Sequence, residues 1–296
     1  MEVNVELRVL KYFLEVAREE NITAAAESLH ITQPTLSKQL MDLEDEIGKK
    51  LFIRGKRRIT LTEDGILLRK RAAEIIELVE KTESELKNTD EVIVGNIYLG
   101  AAETDSMRFI ADICVDINKK YPNIHYHLFS GNSEDVLEKL DKGLIDFGIL
   151  LEPSDIKKYN YIKLPMFDTW GLLMRKDNPL AEKEYITSKD LLNIPLLCSR
   201  QALENNELTG WFETNVEKLN IIATYNLIYN AALFVEQGLG SAITLDKLVN
   251  VTGDSNLCFK PFNPMLKANL VLVWKKYQVF SKASQKFLDE IQNGLR

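Results

Sequence analysis

Six basic side chains, Lys49, Lys50, Arg54, Lys56, Arg57 and Arg58, fall in one short run with no acid among them. Such a run can neutralise phosphates, because binding to a polyanion follows the local patch rather than the charge of the whole chain. A solvated loop would carry the same run, so the run alone leaves both readings open. Just upstream, Thr32-Gln33-Pro34-Thr35-Leu36-Ser37-Lys38 offers chemistry of another kind. Gln33 can bridge the edge of an adenine. Thr35 and Ser37 can bond a base edge or a phosphate, and Lys38 suits a guanine or a phosphate.

These groups need elements that hold them at a surface. Leu7, Leu10, Leu14 and Ala17 recur at helical spacing, and a second short helix follows, with Ala25, Ala26 and Leu29 inward and Thr23 as its cap. A third helix opens at Thr32, a good N-cap, with Pro34 tolerated in its first turn. Leu36, Leu40, Leu43 and Ile47 form its apolar stripe, and Gly48 stops it. At about 100° per residue, Pro34, Thr35, Ser37, Lys38, Met41 and Asp42 then point away from the core. Two short strands, Leu51–Ile53 and Arg58–Leu61, flank the basic turn. This is a helix-turn-helix followed by a wing, and the first turns of its second helix are expected in the major groove. The candidate DNA contacts are Thr32, Gln33, Pro34, Thr35, Ser37 and Lys38 from the helix, and Arg54, Arg57 and Arg58 from the wing.

From Glu63 to about Asn88 the pattern predicts one long helix, capped by Thr62. Leu68, Ala72, Ile75, Val79, Thr82 and Leu86 are spaced 4-3-4-3-4 along it. That spacing reads as a coiled-coil seam between two copies, against the alternative of a helix packed on its own domain. Residues 91–296 alternate apolar runs with helix-like segments, which predicts an α/β domain.

The segment Ala24-Ala25-Ala26-Glu27-Ser28-Leu29-His30-Ile31-Thr32-Gln33-Pro34-Thr35-Leu36-Ser37-Lys38-Gln39-Leu40, followed by Leu43-Glu44, Ile47-Gly48, Leu51-Phe52, Arg54 and Leu61-Thr62-Glu63-Asp64-Gly65, resembles the signature of LysR-type transcriptional regulators. Lys38 stands where the family often has Arg, which keeps the charge and loses bidentate geometry. Weaker phrases continue to the C-terminus: Gly95–Gly100, Tyr121-Pro122, Gly143–Asp146 and Val235–Gly240. The resemblance implies a periplasmic-binding-protein-like domain of two α/β lobes joined by two crossing strands. It also implies a homodimer or homotetramer on partly palindromic double-stranded DNA. Residues 1–62 are then the winged helix-turn-helix and 63–90 the linker helix. Residues 91–296 are the effector-binding domain, with one lobe at about 91–165 and 268–296 and the other at about 166–267.

In such a fold a small-molecule effector sits between the lobes, near strand ends and helix N-termini. Thr104, Asp105, Ser133, Ser199, Arg200 and Asn226 lie at strand-to-helix turns and are the candidate contacts, although a Ser or Thr there is more often only a cap. Helix N-termini favour an anion such as a small carboxylate, and Arg200 would strengthen that. Glu103 and Asp105 count against it unless they face outward, and could favour an amine.

Composition is that of an ordinary globular protein, with 45% apolar and 27% charged residues and a net charge of −7. Cys114, Cys198 and Cys258 lack metal or redox spacing, which suits a reduced cytoplasmic location. Cys198 beside the cleft is a candidate redox sensor without a resolving partner. His125 and His127 share a strand face without further metal ligands. No apolar stretch is long enough to span a membrane, and the acidic start is unlike a signal peptide. No phosphate loop or nucleophile motif supports an enzyme, and no cofactor is expected. The expected function is a ligand-responsive transcriptional regulator that changes DNA bending or contact with RNA polymerase. The alternative is a solute-binding receptor whose N-terminal module docks protein.

Overall fold

The structure is a computed structural model describing residues 5–55, 58–86, 93–152, 154, 156–204, 208, 210–212 and 218–295. Contacts divide the chain into two compact units, Met1–Lys87 and Asn88–Arg296.

The first unit opens with α1 (Leu7–Glu19), which buries Val9, Leu10, Phe13 and Val16. The inward face is thus turned from the expected Leu7/Leu10/Leu14/Ala17 stripe, and Leu7 is exposed. Both stripes satisfy helical spacing, and the bulk of Phe13 selects the observed one by packing tilted against Phe52 with ring centroids 5.1 Å apart. Helix α2 (Ile22–Ser28) buries Ala25 and Ala26. Its cap is Asn21, whose Oδ1 accepts from the amides of Thr23 and Ala24, so the expected cap Thr23 lies inside the first turn, past the true cap.

Helix α3 (Gln33–Ile47) starts at Thr32, whose hydroxyl accepts from the Thr35 amide. Leu36, Leu40 and Leu43 are buried and Ile47 half-buried. Gly48 ends it at φ +70°, a left-handed conformation that suits glycine. Strands β1 (Phe52–Arg54) and β2 (Ile59–Leu61) pair antiparallel as the wing. Helix α4 (Glu63–Leu86) follows, with Thr62 accepting from the Gly65 amide. Gly65 is demanded by proximity, since a Cβ there would sit 2.1 Å from the Leu51 carbonyl oxygen.

Part of the expected seam on α4 packs within the first unit itself. Ala72 and Ile76 are buried in the first unit's own core, and Leu68 packs against it. Leu67, Ile75, Leu78 and Leu86 are exposed instead. The 4-3-4 spacing held two neighbouring faces, and α1 takes one of them.

The second unit runs β3 (Gly95–Ala101), α5 (Met107–Lys120), β4 (Ile124–Ser130), α6 (Ser133–Asp141), β5 (Phe147–Leu151), β6 (Tyr159–Arg175), β7 (Leu196–Ser199), α7 (Arg200–Glu204), β8 (Ile221–Tyr225), α8 (Ile228–Glu236), β9 (Ser241–Leu245), β10 (Leu257–Pro261), β11 (Lys267–Lys275) and α9 (Lys282–Gly294). Strand order is β4-β3-β5-β11-β6-β9-β7-β8, with β10 also on β6. Strand β3 is parallel to β4 and β5 in one lobe, and β7 is parallel to β8 and β9 in the other. The lobes are joined by β6 and β11. Strand β6, 17 residues long, pairs with β11 from Tyr159 to Thr169 and with β9 and β10 from Trp170 to its end. The β6–β11 register shifts between Asn269 and Val271 at the crossing, as a bulge that re-aims a strand does. The expected α/β domain of two lobes with two crossing strands is therefore present.

Candidate DNA-reading surface and effector cleft

The exposed start of α3 carries the candidate reading groups. Gln33, Pro34, Thr35 and Lys38 are exposed and Ser37 is half-buried. Thr32 is occupied as the cap and also bonds the Thr35 hydroxyl at 2.8 Å. Gln33 Nε2 donates to Ser37 Oγ at 2.8 Å, which orders the two as one polar edge. Lys38 makes no ion pair among the described residues.

The wing is held against α3 by Glu44. Its side chain is buried and accepts from the amides of Leu51 at 2.8 Å and Phe52 at 3.2 Å, and from Lys50 Nζ at 2.9 Å. Burial pushes the Glu44 carboxyl up, but Lys50 and the two amides outweigh it, so it titrates below its ordinary value. Sequence reading missed this role. Its only signal was an acid within an otherwise apolar face. Other basic groups of the run are also paired: Arg58 with Glu20 at 3.1 Å and Lys49 with Asp64 at 3.8 Å. These pairs are exposed and weak, so phosphates can replace the acids. Arg57 and the side chain of Arg54 lie outside the described residues.

In the second unit the turns after β3, β4, β7 and β8 meet at one cleft between the lobes. Its lining includes Glu103, Asn132, Trp170, Ser199, Gln201, Tyr225, Asn226 and Thr244. Its volume is about 60 Å³, room for roughly four waters. Each lobe closes the other's helix start. Glu103 Oε2 accepts from the Ile228 amide at the start of α8, 3.2 Å away. Gln201 Oε1 accepts from the Ser133 amide at the start of α6, 2.7 Å away.

Of the six expected effector contacts, Ser199 and Asn226 line this cleft. Ser133 gives its amide to the closure by Gln201. Thr104 is buried, and its hydroxyl donates to Asp168, which also accepts from the amide and hydroxyl of Ser106. Asp105 is paired with Arg108 at 2.7 Å and Lys247 at 3.5 Å. Partial burial pushes its carboxyl up, and these two cations hold it below the usual range. Arg200 points away to Glu204 at 3.7 Å and is exposed. Arg200, the side chain expected to strengthen an anion site, is not among the lining residues, and Glu103 is.

Asp168 sits on β6 where the lobes join, so its network ties the first lobe to the crossing strand. Asp168→Asn keeps one oxygen acceptor for three donors and is expected to cost about 1 kcal/mol. The loss should appear as a lower denaturation midpoint in tryptophan fluorescence, because all 3 tryptophans lie in the second unit.

The remaining candidates are otherwise engaged. Cys198 is wholly buried. Burial pushes the Cys114 thiol up to about 12, against the weaker opposing effect of Tyr126. His127 stacks on Tyr98, centroids 4.6 Å apart, and bonds Asn96. Among the described residues, no three or more His, Cys, Asp or Glu side chains are grouped to hold a metal. No helix there is long and apolar enough to cross a membrane.

Comparison with known proteins agrees with both units. Residues 7–66 match the bacterial regulatory helix-turn-helix protein model of the lysR family. Residues 91–296 match the LysR substrate binding domain. The HTH-type transcriptional regulator YvbU of Bacillus subtilis (strain 168) is 29% identical over 235 residues, 79% of each chain. A hydrogen peroxide-inducible genes activator of Pectobacterium carotovorum is 24% identical over 99% of this chain and 97% of its own. Among solved structures, CbnR, a LysR family transcriptional regulator, aligns with TM-score 0.79 at 19% identity, covering 99% of this chain and 100% of that one. Full-length CbnR complexed with target DNA aligns with TM-score 0.77 at 20% identity, covering 98% and 99%. At these identities the structures establish the fold alone. The family models span most of the sequence, and the protein belongs to the LysR family of bacterial transcriptional regulators.

Proposed function

We propose that the protein binds duplex DNA through the first turns of α3 and the wing, and that a small molecule in the interlobe cleft controls transcription. The observation that carries this is the polar edge Gln33–Lys38, displayed at the surface by Thr32 on one side and a buried leucine stripe on the other. The solved complex of CbnR with its target DNA supports the same use of this fold. Residues 1–62 read DNA, 63–90 pair two copies, and 91–296 take the effector, with lobe boundaries near 165 and 268. Thr32, Gln33, Pro34, Thr35, Ser37, Lys38, Arg54, Arg57 and Arg58 form the DNA contacts. Ser199 and Asn226 touch the effector directly, while Thr104, Asp105 and Ser133 shape the walls. Closure of the lobes shifts subunit placement in a homodimer or homotetramer, and so DNA bending or contact with RNA polymerase. We place this activity in the cytoplasm, with the DNA, and assign no turnover.

The decisive measurement is binding of the full-length protein to promoter duplexes across a salt series. A steep fall of affinity with salt is expected, since each phosphate contact adds about 0.9 to the slope. Absence of salt-dependent duplex binding would sink the reading.

Pairing of copies is assigned to the exposed α4 face, Leu67, Ile75 and Leu78. Ile75→Glu with Leu78→Glu is expected to weaken self-association by roughly tenfold or more, because burying each such side chain contributes about 1.5–3 kcal/mol. Sedimentation that leaves the oligomer unchanged would refute that face.

A thiol-based response to peroxide is not the favoured reading. It needs an accessible thiolate, whereas Cys198 has no exposed surface and burial raises Cys114 and Cys258.

A further inference from the structure

The cleft has a charge pattern that an anion does not match. Glu103 is the one carboxylate or cation among its described lining residues. The basic groups nearby in sequence or structure are used elsewhere: Arg108 and Lys247 on Asp105, and Arg200 on Glu204. The two helix starts that could hold an anion already have oxygen partners, Glu103 on α8 and Gln201 on α6. A helix start contributes about half a positive charge, so it offsets only part of the Glu103 charge. The described bonds use one oxygen of that carboxylate, which can accept about four.

We propose that the cleft recognises its effector through a cationic ammonium group seated on the Glu103 carboxylate. This rests on the cleft being the effector site. A buried ammonium requires a paired carboxylate and hydrogen-bond acceptors, and Glu103 supplies the charge. Trp170 and Tyr225 also line the cleft, and aromatic faces attract cations. The ammonium draws Glu103 from the Ile228 amide or shares it, so binding alters the contact by which one lobe caps the other. An anionic ligand would have to displace Glu103 and then lie beside it.

The test is thermal denaturation of the full-length protein with n-propylammonium chloride, sodium propionate or sodium chloride at equal ionic strength. The two organic ions are close in size and opposite in charge. Propylammonium is expected to raise the midpoint beyond the sodium chloride control, and propionate is not. In Glu103→Gln the apparent affinity for propylammonium should fall tenfold or more, while Glu103→Asp, which keeps the charge on a shorter stem, should retain part of it. Circular dichroism and the unliganded midpoint establish that each variant is folded. If Glu103→Gln does not fold, the wild-type contrast between the two ions still decides.

The proposal is overturned if propionate stabilises as well as propylammonium, if propylammonium binding survives Glu103→Gln, or if neither ion exceeds the salt control. Duplex DNA binding by the same preparation separates the two readings. A protein that binds DNA but fails the ion contrast remains a regulator whose effector is not an amine recognised by Glu103. One that binds no DNA loses the regulator reading itself.

Discussion

The Ser37→Ala, Lys38→Ala double variant is expected to lose about 2–4 kcal/mol of affinity for its DNA site, roughly 30- to 1,000-fold, while keeping wild-type stability. Ser37 is a half-buried group on the first turns of α3, and Lys38 is exposed with no ion pair among the described residues. Neither packs in the leucine stripe, and alanine favours the helix, so the fold has little to lose. On the DNA side, the change removes a charge, a hydroxyl and the partner that orders Gln33. The two losses have different signatures. Lys38→Ala on a phosphate lowers the salt slope by about one, whereas loss of a base contact relaxes sequence preference at one position. Gel-shift titrations across salt and across single-base variants of the site resolve them. Unchanged affinity in the folded double variant would refute the reading face.

The exposed face of α3 was legible in the sequence because its determinants are local. A cap at Thr32, a stop at Gly48 and the Leu36/Leu40/Leu43 stripe fix which side of α3 faces out, whatever the rest of the chain does. Helix α4 shows where that logic ends. Its heptad spacing was plain, but spacing cannot tell which of two adjacent apolar stripes packs on α1. The packing of Leu68, Ala72 and Ile76 into the first unit decides it. Strand β6 was underestimated for a related reason. Its second half reads as an apolar run, Trp170–Met174, while its first half mixes Asn160, Lys163 and Pro165 and gives no strand pattern. Pairing with β11 supplies what the pattern lacks. The cleft was the least legible part. Turns after four separate strands must converge before Glu103 can be seen to face α8 and Arg200 to face away. The acid after the first strand was visible as a warning against an anion, but its direction is a property of the tertiary fold.

Glu44 links stability to DNA reading, and its loss is expected to destabilise the first unit strongly. Glu44→Ala leaves two buried amides, Leu51 and Phe52, without their acceptor. An unpaired buried donor costs about 1–3 kcal/mol, so the pair should cost about 2–4 kcal/mol after relaxation. Glu44→Gln keeps one oxygen acceptor and loses the charge, for about 1 kcal/mol. The pH dependence gives an independent check. The Glu44 carboxyl titrates below its ordinary value in the folded protein, because Lys50 and the two amides outweigh the effect of burial. A depressed folded pKa means stability that is fully present above the unfolded value, about 4.3, and is lost as pH falls through the folded one. The advantage of wild type over Glu44→Gln should therefore be constant near neutrality and shrink below about pH 4.3. The first unit has no tryptophan, so its unfolding is read as the part of the helical circular dichroism change that does not coincide with the fluorescence transition of the second unit. Because these amides anchor β1, both variants should also lose DNA affinity at temperatures where the helices are still folded. A stability gap between wild type and Glu44→Gln that does not vary from neutral to acid pH would show that the carboxylate charge is not what holds the wing.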